Sequence, residues 1–290
     1  MLPQFNIDEW HAFADTPRHI ARELSISPSV VGPVDAARAV IARRLLSTSI
    51  TLGANRPTDI FILSVGEPPL RFCTKIGGLP SLEREIKWPT DSHGEPLPFL
   101  AQFNFSDSMD LTGQLPGKML FIFGDLDARR GLSLVWSPLA CSDSAEFCPE
   151  LPDAPVFPSL WGSRWRTFNY PDVIAPNLGD FDNFTACDGT TVRNGFFAIS
   201  LLGLQIGPNT TILPGQNFLN RGEEVICMVT MVIPRLGDPF PFLNRESPLT
   251  DTERVSCAFL LGDQNDCDMF GLLYVIRTRS GQFRWDLRNL

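Results

Sequence analysis

The spacing of apolar residues changes once along the chain, close to residue 50. Before that point apolar side chains recur at helical spacing, as in the i+4 series Ala37, Ile41 and Leu45. Pro33 precedes this series, and a proline is typical of a helix start. The pattern predicts an N-terminal helical layer over residues 1–55, packed against a sheet.

After residue 55 the chain is divided into short apolar runs bounded by Gly, Pro or Asp. The runs are rich in Val, Ile and Phe, and each has the length of a strand. The predicted strands are 60–65, 99–105, 118–123, 132–136, 196–204, 225–233, 256–261 and 272–276. We therefore predict an α+β fold that is mainly antiparallel β-sheet, with the helical layer at its N-terminus.

A weak internal repeat predicts that the sheet has pseudo-repeated halves. Lys75-Ile-Gly-Gly precedes residues 99–104 and then the strand 119–123, while Gln205-Ile-Gly-Pro precedes residues 259–264 and then the strand 272–276. Whether the halves are a true duplication stays open, because the spacing inside them differs. We predict one domain over 1–290, made of a helical layer (1–55), a first β half (56–140), a Pro-rich connection (141–195) and a second β half (196–290).

Residues 99–105 alternate between two faces, as side chains of a strand do. The odd-numbered residues form an aromatic face, which predicts a core strand. Gln102 and Asn104 share the other face with Leu100. Two interpretations remain open for the two amides, a ligand-binding surface or a buried network that ties neighbouring strands together.

Charge and composition exclude several classes of function. The formal net charge of −9 argues against a nucleic-acid partner, because phosphate binding needs a basic surface. No run of about 18 apolar residues is present, so no membrane span is predicted. The seven cysteines are an odd number, and the N-terminal residues lack the pattern of a secretory signal. We therefore expect free thiols and a cytoplasmic location.

Candidate chemistry is sparse, and we predict no catalytic residue, metal or cofactor. The three histidines are dispersed, and the chain has no paired Cys-x-x-Cys units and no phosphate-binding glycine loop. Asp263, Asp266 and Asp268 are spaced somewhat like a calcium loop but lack its register and its late Glu. A turn in which these carboxylates cap backbone amides is the favoured interpretation, and cation binding there stays open.

Several motifs resemble the YwqG-like family. They include Gly-Gly-Leu-Pro at 77–80, Trp88-Pro89, Phe-Leu-Ala-Gln at 99–102, the run 115–125, and a C-terminal segment at 259–271. The resemblance implies a mixed α+β fold dominated by antiparallel sheet, in one body with pseudo-repeated halves. It implies no reaction. Some members are suspected to act in bacterial toxin–immunity settings, which points to protein binding.

Two functional hypotheses follow, besides a role in assembly or regulation without a discrete site. The first is a non-enzymatic protein-binding role, toxin-immunity-like or scaffold-like, which the missing catalytic signatures and acidic charge favour. The second is a small-ligand binder or enzyme that uses polar residues around Gln102. For it, the tentative ligand-binding residues are Trp88, Gln102, Asn104, Asp263 and Asp266. The sequence leaves the oligomeric state open.

Overall fold

Strands make up most of what the computed structural model of the chain describes. The described residues are 51–52, 56–66, 68, 70–83, 86–124, 131–138, 159–169, 173–174, 183–185, 191–193, 204–208, 218–230 and 271–289. The elements are β1 (Thr51–Leu52), β2 (Arg56–Val65), β3 (Lys75–Ile76), β4 (Phe99–Asn104), α1 (Met109–Thr112), β5 (Met119–Gly124), β6 (Leu132–Ser137), β7 (Leu160–Asn169), β8 (Val173–Ile174), β9 (Asn183–Thr185), β10 (Thr191–Arg193), β11 (Leu204–Ile206), β12 (Glu224–Thr230), β13 (Gly271–Arg277) and β14 (Phe283–Asn289).

Ten of these strands form one antiparallel sheet, in the order β14-β13-β12-β11-β2-β7-β3-β4-β5-β6. The two ten-residue strands β2 and β7 lie side by side at its centre. Four strands continue outward on each side, β3 to β6 (the first flank) and β11 to β14 (the second flank). Two further pairs, β1–β8 and β9–β10, form small separate sheets.

The predicted mixed α+β fold with a helical layer is wrong for the part of the chain that the structure describes. There the only helix is α1, which has four residues, and the rest of the regular structure is antiparallel sheet. Residues 1–50, on which most of the helical prediction falls, lie outside the described residues. Thr51–Leu52, inside the predicted layer 1–55, form a strand. Among the described residues, no helix has the length and apolar character needed to cross a membrane.

Most strand predictions that fall on described residues are confirmed. The runs at 60–65, 99–105, 118–123, 132–136, 225–233 and 272–276 correspond to β2, β4, β5, β6, β12 and β13, respectively. The run 196–204 reaches β11 only at Leu204, and 256–261 lies outside the described residues. The sequence missed β7, which lies within the range 141–195 that we predicted as a connection, and β14.

The two flanks have the same internal pairing. Ile76 on β3 pairs with Ala101, and Ile206 on β11 pairs in the same way with Cys227. Each ladder then shifts register once, between Phe99 and Ala101 in the first flank and between Val225 and Cys227 in the second. In the next strand of each flank, β5 and β13, Met119–Phe123 and Leu272–Ile276 occupy equivalent places.

The central strands are exchanged between the flanks. β2 precedes β3 in the chain but pairs with β11, while β7 precedes β11 but pairs with β3. The element equivalent to β4 is β12, so residues 99–104 correspond to 225–230. Residues 259–264, which the sequence matched to 99–104, lie outside the described residues.

The sheet curves until its two edges meet on one face, which we call the inner face. Trp136 on β6 and Phe283 on β14 belong to opposite edges, yet their ring centroids are 4.9 Å apart. Buried side chains of both flanks, including Leu120 and Leu273, fill the space between. The outer face carries two separate apolar clusters, one on each flank.

The register shift in β4 changes which residues face the core. Because a β-bulge adds one residue to a strand, Leu100 and Ala101 both join the inner core. Phe99 instead packs on the outer face with Phe121 and Phe123. The predicted strict alternation over 99–105 is therefore wrong at 99 and 100, and it holds from Ala101 to Phe105.

An ion pair on the second flank gives a prediction of pH dependence. The Arg284 guanidinium donates to both carboxylate oxygens of Glu223, at 2.6 and 3.2 Å, and the amide of Asn220 donates to one of them at 2.8 Å. These bonds to the charged form lower the pKa of Glu223 to about 2, the bonds from Arg284 having the larger effect. The stabilisation is therefore present above the ordinary glutamate pKa and lost as the pH falls through about 2.

We expect carbon-detected NMR of the Glu223 carboxyl to show a titration midpoint near 2. In the control Arg284→Met the midpoint should rise toward the ordinary glutamate value, since the main donor is removed. A wild-type midpoint at that ordinary value would show that the ion pair does not form in solution.

Candidate functional site

The two amides that the sequence singled out are buried and fully engaged with a neighbouring segment. Gln102 Nε2 donates to the carbonyl oxygens of Arg71 (2.9 Å) and Cys73 (2.7 Å), and Gln102 Oε1 accepts from Ser81 N at 3.0 Å. Asn104 Nδ2 donates to Phe72 O at 2.9 Å. Both side chains therefore tie the loop 70–83 to the outer face of β4. The network is buried, as the second interpretation has it, but its partners are loop residues and not the neighbouring strands that the interpretation named.

Trp88 is half-buried and takes part in the same outer cluster. Its indole N–H donates to Leu97 O at 2.8 Å, and its ring meets Phe123 edge-on with centroids 5.0 Å apart. Asp263 and Asp266, the remaining predicted site residues, lie outside the described residues. The ligand-binding role of these five residues stays a prediction.

The polar turn between Trp88 and β4 is held by hydrogen bonds to the carboxylate of one of its own residues, Asp91. Asp91 Oδ1 accepts from the amides of His93 (2.8 Å) and Glu95 (3.0 Å). Gly94 has a positive φ of 86°, in the left-handed region that favours glycine. Among the described residues, no group of three or more His, Cys, Asp or Glu side chains is arranged to hold a metal ion.

A different group of charged side chains lies at the centre of the sheet. Asp59 on β2 is directly opposite Arg166 on β7 and is completely buried. Its carboxylate accepts from Nε and Nη2 of Arg166, and Arg164 Nη1 lies 3.5 Å away. Asp59 shares a strand face with Phe61, a member of the inner core. We call Asp59, Arg164 and Arg166 the central ion cluster.

The central ion cluster holds the chain segment that follows β4. Ser108 Oγ donates to Asp59 Oδ2 at 2.5 Å, and both arginines donate to the Asp107 carbonyl oxygen at 3.2 Å. Arg166 also binds the Asp110 carboxylate with two bonds, of 2.6 and 3.2 Å. Residues 106–113, which we call the presented segment, are thereby fixed at the edge of the inner face, and α1 is part of them.

The charges in this arrangement reinforce one another. The bonds from Arg166 lower the pKa of Asp110, and the bonds to Asp110 and Asp59 raise the pKa of Arg166. Asp59 differs from Asp110 because it is buried, and a buried charge is costly unless it is paired and hydrogen-bonded. Asp110 and Arg166 therefore both keep their charges at neutral pH.

The fold itself does not require this carboxylate. Ile76 on β3 pairs with Leu160, whereas Ile206, its counterpart on the second flank, pairs with Asp59. Leu160 and Asp59 therefore occupy equivalent places on the two central strands, and both are buried. Because a leucine satisfies the fold at one of these places, the ion cluster at the other is a feature of this site.

Sequence reasoning missed the central ion cluster. Arg164 and Arg166 fall in the range 141–195, which we predicted as a connection, and Asp59 was treated as the residue before a strand. One signal was available: over 161–166 the two Trp residues occupy one set of alternate positions and the two Arg residues the other, as in a strand with two different faces.

Comparison with known proteins adds one match to this description. The family model for a domain of unknown function (DUF1963) matches residues 74–132. The matched region contains the loop 70–83 from Thr74 onward, β3 to β5 and the whole presented segment, but not the central ion cluster. The chain is thus similar to that family over part of its first flank. No curated protein matches the chain.

Proposed function

We propose that the protein is a non-enzymatic protein-binding protein that uses the presented segment for recognition. The observation that carries the proposal is the exposure of Met109, which is 48% exposed while the segment around it is held by buried bonds. Asp107 and Asp110 are exposed beside it. A rigid segment loses little conformational entropy on binding, so its side chains can contribute most of their contact energy.

The partner that fits this surface is a basic, amphipathic protein segment. Asp107 and Asp110 offer carboxylates to Lys or Arg, and the flexible thioether of Met109 packs against apolar side chains. The net charge of −9 supports the choice, because it steers basic partners toward the protein. Arg166 neutralises Asp110 only in part, since the Asp110 side chain is 65% exposed to solvent.

The polar groups of the described residues favour binding over catalysis. The Asp59 carboxylate is completely buried and both of its oxygens already accept hydrogen bonds, so it is not placed to take a proton from a bound substrate. Burial raises the pKa of the Cys73 thiol and, more strongly, of Cys227, so neither favours the reactive thiolate.

The YwqG-like resemblance supports the same proposal of a protein-binding role. Its first motifs, between residues 77 and 125, lie inside the matched region 74–132 and flank the presented segment. The toxin–immunity settings suspected for some members support an immunity-type or scaffold role for this chain. We also propose a cytoplasmic location, which the free thiols of Cys73 and Cys227 support.

Affinity capture with three forms of the full chain tests the proposal. We expect the wild type to retain a defined basic protein, and Met109→Ser combined with Asp110→Lys to lose it, since the variant removes the apolar contact and reverses a charge. The control Leu79→Ser removes a similarly exposed side chain (39%) from another loop and should retain the partner. A partner held equally by all three forms would contradict the proposal.

A further inference from the structure

The sulfur atoms of methionine and cysteine are the usual sites of oxidation in a protein. The described residues include five such side chains, those of Met109, Met119, Met228, Cys73 and Cys227. Met119 and Met228 are buried, at 0% and 2% exposed, and both cysteines are buried as well. Met109 is 48% exposed. Among these five side chains, only that of Met109 is therefore open to a dissolved oxidant without any opening of the fold.

The four buried sulfur atoms are further protected by their surroundings. Burial raises the pKa of the Cys73 thiol and, more strongly, of Cys227, which disfavours the thiolate that peroxides attack. Met119 on β5 packs in the outer cluster of the first flank, and Met228 on β12 packs in that of the second flank. An oxidant reaches either methionine only when a packed strand opens.

The surroundings of Met109 admit an uncharged oxidant. The carboxylates of Asp107 and Asp110 are exposed beside it and repel anions. Hydrogen peroxide carries no charge at neutral pH, so these carboxylates do not exclude it. A thioether has no proton to lose, so its reactivity, unlike that of a thiol, needs no lowered pKa. The exposure of the Met109 side chain therefore determines how fast it is oxidised.

We propose that Met109 is a site of oxidation to methionine sulfoxide by peroxides, and that this modification switches off recognition by the presented segment. A lone pair of the sulfur attacks one oxygen of hydrogen peroxide, so that an S–O bond forms and the O–O bond breaks. The proton on the transferred oxygen passes to the departing hydroxide, which leaves as water. The thioether loses two electrons and the peroxide gains them. The loss of recognition rests on the proposed function, whereas the oxidation itself does not.

The sulfoxide changes the binding surface and leaves the fold in place. It turns a flexible apolar side chain into a polar one, and burying that polar group against apolar side chains of a partner is unfavourable. The bonds that hold the presented segment involve the Asp107 carbonyl oxygen, the Ser108 hydroxyl and the Asp110 carboxylate, and not the thioether. Oxidation should therefore weaken binding without unfolding the chain.

Peptide mapping by mass spectrometry tests the site of oxidation and needs no partner. The full chain is treated with hydrogen peroxide, and the oxidised fraction of each methionine is followed over time. We expect Met109 to be oxidised at least about tenfold faster than Met119 and Met228 in the folded chain. In urea, where all three are exposed, the rates should be similar. Equal rates in the folded chain would overturn the assignment of Met109.

The affinity for the captured basic protein, measured before and after peroxide treatment, tests the switch. Oxidation of the wild type should raise the dissociation constant at least about tenfold, since a central apolar contact is lost. Met109→Leu has no thioether at this position, so peroxide should leave its dissociation constant, whatever its starting value, unchanged. An oxidised wild type that binds as before, or equal sensitivity to peroxide in Met109→Leu, would overturn the switch.

Met109→Ser separates failure of the switch from failure of the proposed function. If Met109→Ser weakens binding but oxidation of Met109 does not, the switch alone is wrong. If neither change weakens binding, or no partner is captured, the proposed function fails and the switch fails with it. The peptide map then still decides whether Met109 is the site of oxidation.

Discussion

Asp59→Ala should lower the free energy of unfolding by about 3–5 kcal/mol, the largest effect that we expect of a single substitution in the site. The change removes the one buried carboxylate that Arg164 and Arg166 share, and it leaves two guanidinium groups at the sheet centre without it. It also removes the acceptor of Ser108 Oγ. Urea unfolding followed by circular dichroism measures the change through the transition midpoint.

Asp110→Ala is the matched control, because the same arginine binds both carboxylates. The Asp110 side chain is largely exposed, so its ion pair is screened by water and its loss should cost less than about 1 kcal/mol. Similar losses for the two substitutions would mean that the burial of Asp59 does not determine its contribution.

Gln102→Met should lower the free energy of unfolding by about 2–4 kcal/mol. Methionine has a similar size and is the residue at the equivalent place in β12, Met228. The substitution leaves Ser81 N and Cys73 O without their partners, whereas Arg71 O still accepts from Ser81 Oγ. We also expect the amides of loop 70–83 to exchange faster with deuterium, because the loop loses its attachment to β4.

Met228→Leu is the control for Gln102→Met. It alters an apolar side chain at the equivalent place and should cost less than about 1.5 kcal/mol, since no hydrogen bond is lost. If Gln102→Met is no more destabilising than this control, the amide does not hold the loop.

Patterning predicted the strands whose side chains are buried on both faces. β5 and β13 are nearly continuous apolar runs, and burial against the inner core and an outer cluster explains why. β7 was not predicted as a strand because it carries arginines on the inner face, where a periodic pattern leads one to expect apolar residues. Its arginines are tolerated there only because Asp59 lies on the neighbouring strand, and no local pattern reveals that pairing.

The exchange of central strands explains why the repeat was only partly visible in the sequence. Lys75-Ile-Gly-Gly and Gln205-Ile-Gly-Pro occupy equivalent places, as do 119–123 and 272–276. Sequence similarity paired residues 99–104 with 259–264, but the strand at the equivalent place is β12. Its residues Ile226, Cys227 and Val229 fill the same core as Leu100, Ala101 and Phe103 of β4, so the buried apolar character is kept although the motif is not.

A buried network was one of the two alternatives that the sequence left open for Gln102 and Asn104, but the attachment to a loop was not foreseen. Alternation placed both amides on one face, but it did not show what lies against that face. The carbonyl groups of Arg71, Phe72 and Cys73 come from a loop some 30 residues earlier in the chain. Only the fold brings such distant backbone groups to a side chain.

The affinity of the full chain for its captured partner tests the central claim most directly. The dissociation constant should be measured for the wild type, for Met109→Ser and for the control Leu79→Ser. We predict that Met109→Ser raises the dissociation constant at least about tenfold, because truncating a central apolar anchor removes a large share of the binding energy, and that Leu79→Ser changes it by less than about twofold. Equal dissociation constants for Met109→Ser and the wild type would contradict recognition through the presented segment.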